Sequence, residues 1–324
     1  MKVLVTGGAG YIGSHVVREL FDQGHEVVIL DDLSLGNPEN IDPRASFIEG
    51  SIHDLPRLEE AFTQRVEAVF HFAAFKAAGE SMLAPQKYAR NNIAGTINLL
   101  NTMLAHDVKT MVFSSTAAVY GNPRYLPVDE KHPTEPTNFY GYTKLEIENT
   151  LEWYAQLKGL RYAALRYFNA AGYDVQGRIS GREYNPANLL PLVMEVAAGE
   201  RAELQIFGAD YPTADGTGVR DYIHVNDLAT AHLAALEYLS KNKDNLKINL
   251  ATGQGYSVLE VVEAARRITG KEILVKIVGR RTGDPAELVA TSRIAGELLG
   301  WQAQHSDLDT LLTSMWQIYN QQSS

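Results

Sequence analysis

The stretch VTGGAGYIGSH, residues 5–15, constrains the fold more than any other, because it follows directly on a short apolar run, KVLVT (2–6). It satisfies two spacings at once, Gly7-x-x-Gly10-x-x-Gly13 and Gly8-x-Gly10-x-x-Gly13. Glycines at these places permit a tight turn out of a strand, close approach of backbone to a pyrophosphate, and packing of a helix on the strand just left. The helix opening there, with Tyr11 and Ile12, aims its N-terminal amides at the phosphates. A chain that begins with strand, glycine turn and helix is committed to βαβ architecture.

The next residues repeat that unit. EVVIL (26–30), SFIE (46–49), EAVFHFA (67–73), KTMVFSS (109–115) and RYAALRYF (161–168) read as strands, with amphipathic stretches at 12–23, 54–65, 91–105 and 139–158 between them. Gly24 supplies a left-handed stop for the first helix. Strands this apolar, alternating with helices, imply an α/β fold: a doubly wound parallel Rossmann sheet covered on both faces. After Asn169 the texture changes to glycine- and proline-rich sequence without period. Residues 1–169 are therefore expected to form the NAD-binding Rossmann domain. Residues 170–324 are expected to form a smaller C-terminal substrate-binding lobe, with part of 218–252 free to return to the first sheet. In that lobe DYIHVNDLATAHLAALEYL (221–239) reads as one long helix and KINLA (247–251) as a strand.

Asp31 ends the second strand, 18 residues after Gly13. A carboxylate there hydrogen-bonds a ribose 2′-hydroxyl and repels a 2′-phosphate. Asp32 doubles the charge and no arginine follows at once, so the expected cofactor is NAD rather than NADP. The net charge of −10 argues against nucleic acid or an anionic membrane surface as partner. There is no cysteine, hence no disulfide framework or thiolate chemistry. The histidines are scattered without a ligand spacing, so no metal site is expected. MKVLVTGG reaches glycine too soon for a signal-peptide apolar region, and the default location is cytoplasmic.

NFYGYTK (138–144) places Tyr140 and Lys144 one helical turn apart. FSSTAAVYG (113–121) ends a predicted sheet strand at the carboxyl edge, where open α/β sheets bind ligands. Ser114, Thr116, Tyr140 and Lys144 can therefore converge near the nicotinamide. Oxidising a sugar alcohol needs an acceptor for the hydroxyl proton, and tyrosine, with a pKa of about 10, needs a neighbouring ammonium and a cationic ring to serve. Bringing it near neutrality takes roughly 3 units. A second pair, Tyr154 and Lys158, lies roughly 21 Å further along the helix and reads as a neighbour contact near the helix end.

TGGAGYIGSH, FSSTAAVYG, YGYTK, LRYFNAAG, DGTGVRDYIHV and RRTGDPAELVA resemble the extended short-chain dehydrogenase/reductase family, and within it the UDP-glucose 4-epimerases. The resemblance runs from Met1 to about residue 320, and DGTGVRDYIHV is its most specific segment. It implies a permanently held NAD, hydride withdrawn from sugar C4, rotation of a 4-keto sugar about its diphosphate, and return of hydride to the other face. It implies that Thr116 and Tyr140 handle the 4-hydroxyl proton while Lys144 tunes Tyr140 and holds the nicotinamide ribose. Tyr11, Ile12, Asp31, Asp32, Ser34, Gly36, Ser51, Ile52, Phe72, Ala73, Ala74, Lys76, Asn91, Ser114 and Phe168, with the glycines, are the implied NAD contacts. Asn169, Asn188, Leu189, Phe207, Arg220, Arg281 and Asp284 are the implied UDP contacts, with Phe207 against uracil and the two arginines on the diphosphate. Leu288 stands where the family flanks the sugar; leucine is intermediate between residues that exclude N-acetylated hexoses and those that admit them.

Ser51 replaces an aspartate that usually contacts adenine, and Thr116 replaces the commoner serine. Ala117 and Ala118 stand where a 4,6-dehydratase carries its acid pair, which removes that reading. Epimerases of UDP-N-acetylglucosamine or of UDP-glucuronate and UDP-pentoses remain as alternatives, as does a non-catalytic NAD sensor. The resemblance also implies a homodimer. Ile93, Ile97, Leu100 and Leu104 share a helical face, and Phe139, Leu145, Leu151, Trp153, Tyr154 and Leu157 make the following long helix apolar on more than one side.

Overall fold

The computed structural model describes residues 1–281 and 284–323, the side chains of the last two excepted. Strands β1 (Lys2–Thr6), β2 (Glu26–Asp31), β3 (Ser46–Glu49), β4 (Ala68–His71), β5 (Thr110–Thr116) and β6 (Arg161–Tyr167) alternate with helices. Those helices are α1 (Tyr11–Asp22), α2 (Leu55–Thr63), α3 (Ala78–Leu83), α4 (Pro85–Tyr88), α5 (Gly95–Ala105) and α6 (Phe139–Lys158). Then come β7 (Asn169–Ala171), α7 (Leu189–Ala197), β8 (Leu204–Phe207), β9 (Val219–His224), α8 (Val225–Lys241) and β10 (Leu246–Leu250). The chain closes with β11 (Gly255–Ser257), α9 (Val258–Thr269), β12 (Val275–Val278), β13 (Glu287–Leu288), α10 (Arg293–Leu299) and α11 (Leu308–Tyr319).

The main sheet has seven strands in the order β10-β6-β5-β4-β1-β2-β3, all parallel. The order reverses between β1 and β4, which opens a crevice at their carboxyl ends. β10 lies beside β6, with Ile248 opposite Leu165, so the chain does return to the first sheet after residue 218. Each face of the sheet buries its own cluster. Val3, Val5, Phe70 and Leu165 meet residues of α1 and α8 on one side, and Leu4, Val69, Met111 and Phe113 meet α2, α5 and α6 on the other. A third cluster, around Leu190, Met194, Ile206, Val261 and Leu312, is the core of a second lobe. There β9 pairs with β7 and β13 in parallel and with β11 antiparallel, while β8 pairs with β12.

The helix expected over 221–239 begins only at Val225; residues 221–224 finish β9. The apolar residues Tyr222, Ile223 and Val225 run across the boundary without a break in pattern. The signal is local: His224 is the cap, its ring accepting from the Asn226 amide at 3.0 Å. Of the apolar face expected on 93–104, Leu100 belongs to the sheet core, whereas Ile97 points outward.

Four buried histidines lock the packing in neutral form. His15 Nδ1 donates to the Tyr11 carbonyl and Nε2 accepts from the Asp174 amide at 3.0 Å, so a second proton would face an N–H. Burial holds His15 and His232 down at about 4 and His71 and His224 at about 3. Their ordinary value is about 6.5. Their contribution to stability is thus fully present above about pH 6.5 and is lost as pH falls toward 4, by up to about 1.4 kcal/mol per unit for each. Asp221, pushed up to about 6 by burial, works the opposite way over about pH 4–6, and is outnumbered. The denaturant midpoint should fall steadily from pH 7 to pH 5; a flat profile would contradict this account.

Candidate active site

The glycine turn is tighter than any side chain allows. Gly7 has φ +77°, and a Cβ on it would stand 2.7 Å from the Ala73 amide nitrogen. A Cβ on Gly13 would stand 2.2 Å from the Gly7 carbonyl oxygen. Helix α1 therefore sits directly on the end of β1, with Gly10 at its N-cap and no side chain capping it. The other helices of eight or more residues that start afresh are capped by Asp54, Asn138, His224, Ser257 and Asp307, with one exception, α7. Its N-cap Asn188, followed by Leu189, makes no cap hydrogen bond, and no acid lies in its first turn. Two helices thus leave amide donors unpaired by side chains, which is what phosphate groups require.

Around α1 the other implied cofactor residues gather. The Asp31 carboxylate ends β2 and accepts from the Ala9 and Leu33 amides, both at 2.9 Å. Gly36 packs so closely that a Cβ would stand 2.6 Å from Asp31 Oδ1. Asp32 accepts from the Ser34 amide and hydroxyl. Phe72 and Ala73 follow β4 and both donate to the Thr6 carbonyl, leading into Ala74. Ser51 accepts from the His53 amide at 3.3 Å, and Ile52 is buried against Gly95. Lys76 pairs with Glu183 of the second lobe and lies 6.0 Å from the Tyr11 ring centre. Asn91 donates to Asn92 at 3.2 Å. These residues fit a dinucleotide laid across the crevice.

The side chains expected to react meet at the end of β5. Lys144 is 2% exposed. Its Nζ donates to the Ser114 carbonyl at 2.7 Å, 4.7 Å from the Phe113 ring centre and 6.0 Å from that of Tyr140. The Ser114 hydroxyl bonds the Tyr167 hydroxyl. Burial pushes Tyr140 up to about 12, while the Thr116 hydroxyl beside it pulls the other way. Burial also pushes Lys144 down to about 7, opposed by Glu148. In the protein by itself burial dominates at Tyr140, so the expected shift toward neutrality still calls for the cationic ring beside the ammonium. Tyr154, by contrast, donates to Asn101 on α5 at 2.9 Å; its partner is across the helix pair and not Lys158.

The second lobe brings its residues to the same edge. Leu288 on β13 is in register with Arg220 on β9. It packs on the buried cluster of Ala117, Val119, Tyr120 and Val128, which Leu145 and Phe168 also flank, close in sequence to Thr116 and Lys144. Arg220 donates to the Val219 carbonyl at 2.8 Å. Asn169 opens β7 and donates to the Asp221 carbonyl at 2.9 Å. Phe207 ends β8 under the Arg281 guanidinium, 4.0 Å from its ring centre, and Arg281 lies 4.0 Å from Asp284. Thr282 and Gly283 of the RRTGDPAELVA segment lie outside the described residues. Among the described residues no cluster of metal-binding side chains occurs.

Two contacts were not visible in sequence reasoning. Ser81 Oγ accepts from the Tyr140 amide at 3.0 Å. Asn92, fully buried, bonds both amide and carbonyl of Phe75 and the Thr143 hydroxyl, tying the β4 loop to α6. An unbroken Asn-Asn inside an apolar helical run was the one hint.

A glycine turn on an uncapped helix, with an enclosed tyrosine–lysine pair at the carboxyl edge of a parallel sheet, defines a dinucleotide-dependent site of the short-chain dehydrogenase type. The chain belongs to the NAD dependent epimerase/dehydratase family, which matches residues 3–251. It is similar to the UDP-glucose 4-epimerase of Halalkalibacterium halodurans, 48% identical over 98% of this chain and 95% of that one. The crystal structure of UDP-glucose 4-epimerase from Brucella ovis in complex with NAD superposes with a TM-score of 0.96, at 43% identity over 98% of each chain. That from Bifidobacterium longum, in complex with NAD+ and UDP, gives 0.93 at 39% identity, covering 100% of both.

The two tyrosines of α6 separate chemistry from packing. Tyr140→Phe should lower kcat about 10²–10⁴-fold, the range for loss of a general acid–base group, while bound nicotinamide stays unchanged. Tyr154→Phe, losing one exposed hydrogen bond, should keep near-normal kcat. Equal losses measured in the two variants would show the site to be wrongly placed.

Proposed function

We propose that the protein interconverts UDP-glucose and UDP-galactose by reversible oxidation at sugar C4 through a 4-keto sugar. The observation that carries this reading is the enclosed Thr116–Tyr140–Lys144 group facing a second lobe whose Arg220 and Leu288 share one register. NAD bound along the glycine turn supplies a hydride acceptor and donor and a cationic ring. Thr116 relays the 4-hydroxyl proton to Tyr140, since a hydroxyl both accepts and donates. Lys144, as ammonium, favours the tyrosinate, and the added ring charge makes up what burial takes away. Asn169, Asn188 and Leu189 at the uncapped start of α7, and Arg220, Arg281 and Asp284 hold UDP; guanidinium forks match phosphate oxygens. Phe207 offers uracil the ring face not covered by Arg281.

The division at residue 169 into an NAD domain and a UDP-sugar lobe belongs to the same proposal, as does a cytoplasmic location. The cysteine-free composition supports that location, and among the described residues no helix is long and apolar enough to cross a membrane. Leu288, partly buried against the Ala117–Val119 cluster, narrows the sugar site in this reading, so N-acetylated hexoses should turn over weakly. Incubation with a panel of UDP-hexoses, without added NAD, tests the reading. The glucose–galactose pair should equilibrate at C4, the N-acetyl pair should lag about 10-fold or more, and the protein should carry near-stoichiometric nicotinamide. Sustained release of NADH would make it a dehydrogenase instead, and equal rates on both pairs would remove Leu288 from the sugar site.

A homodimer formed through α5 and α6 completes the proposal. Ile97 on α5 and Trp153 and Leu157 on α6 are 37%, 61% and 69% exposed, and such large apolar side chains are what a partner copy would cover. Light scattering at micromolar concentration should give twice the mass of 35.8 kDa; a monomeric mass would count against it.

A further inference from the structure

Helix α6 carries Tyr140, Lys144 and Glu148 at four-residue spacing, on one stripe toward the sheet. Glu148 has no part in the reaction described above, yet it has no exposed surface. Arg166 on β6 grips its carboxylate with two parallel bonds, Nε to Oε1 at 2.9 Å and Nη2 to Oε2 at 2.5 Å. Ser115 Oγ donates to Oε1 at 2.5 Å. The free end of Arg166 donates to the Tyr120 hydroxyl at 3.0 Å, and that hydroxyl donates to Asn249 at 2.6 Å. A buried ion pair of this kind contributes little net stability, because desolvation cancels most of the attraction. Its position suggests another use.

Ser115 lies between the two residues of β5 that meet the reacting pair: Ser114, whose carbonyl holds Lys144, and Thr116, beside Tyr140. The carboxylate that holds Ser115 therefore fixes the strand against the helix at that point. We propose that Glu148, clamped by Arg166, is a positioning residue for the Tyr140–Lys144 pair, locking β5 to α6 through Ser115 and placing a negative charge one helical turn from the Lys144 ammonium. The charged and titratable groups facing Lys144 are Tyr140 and Glu148 from its own helix and His71 from β4; from β6, Arg166 and Tyr167 stand one contact further out, bonded to Glu148 and to Ser114. His71 stays neutral, so Glu148 is the one anion among them. The inference rests on the catalytic reading of Tyr140 and Lys144.

The test uses the full chain with its bound nicotinamide. It follows the pH profile of kcat on UDP-galactose and the titration of Lys144 by ε-¹³C NMR, assigned through Lys144→Met. In Glu148→Gln the Lys144 midpoint and the alkaline limb of kcat should both fall by about one pH unit, since an opposite charge is lost and Arg166 is left uncompensated. Glu148→Gln with Arg166→Met removes both charges and should bring the midpoint back toward wild type; it also serves if the single variant folds poorly. Glu148→Asp should keep the midpoint but lose kcat. Ser115→Ala, which changes no charge, should lower kcat several-fold with KM unchanged. A midpoint unmoved in Glu148→Gln, or a Ser115→Ala protein with wild-type kcat, overturns the proposal. A wild type that turns over no UDP-hexose while its Lys144 midpoint still shifts in Glu148→Gln would instead sink the functional reading.

Discussion

The site depends on the burial of one ammonium. Taking Lys144 out of water is unfavourable, and the structure offsets it with the Ser114 carbonyl, the face of Phe113 and the Glu148 carboxylate a turn away. The first two are available only because α6 lies hard against the end of β5. Gly141 makes that approach possible: a Cβ there would stand 2.5 Å from the Ala118 carbonyl oxygen. Asn138 caps the helix by accepting from the Gly141 amide at 2.8 Å, so the helix starts where the contact is closest. The same enclosure drives Tyr140 away from ionisation. In the role proposed for it, a base in this position would be idle until positive charge arrives beside it, which would tie proton abstraction to the oxidised cofactor being in place.

Much of this was legible in the residues. The parallel strands are short, apolar and separated by amphipathic runs, and their side chains are buried on both faces, so sequence pattern and burial carry the same information. The α6 bounds, 139–158, coincide with the expected ones because Asn138 and Gly159 are strong local stops. The β9–α8 junction was not legible, since its apolar pattern is continuous and the stop is a histidine ring. The outward face of α5 was misjudged at Leu100 because helical spacing gives a face but not its direction. Tyr154 found Asn101 and the carboxylate of Glu148 found Arg166 through packing between distant segments, which no spacing within one segment encodes.

The two lobes are joined on the side of the glycine turn. The Tyr11 hydroxyl donates to the Gly172 carbonyl, His15 accepts from the Asp174 amide, and Lys76 pairs with Glu183. All three contacts reach from the first helix or the β4 loop to the segment that leads into α7. The two uncapped helix N-termini, α1 and α7, are thereby held in fixed relation, although they belong to different cores.

That arrangement divides the labour of binding. Amide dipoles and the carboxylate of Asp31 need rigid placement, because a phosphate or ribose hydroxyl is recognised by short, directed bonds. Arg281 and Asp284 lie in the loop between β12 and β13 and are half exposed, with only a 4.0 Å approach to each other. Side chains so placed can follow a ligand by rotamer changes that backbone amides cannot make. The crevice thus combines fixed backbone donors on one side with a half-exposed Arg281–Asp284 pair on the other. Leu288, beside them, is held by its register with Arg220 and by its packing on the buried cluster of Ala117, Val119 and Val128.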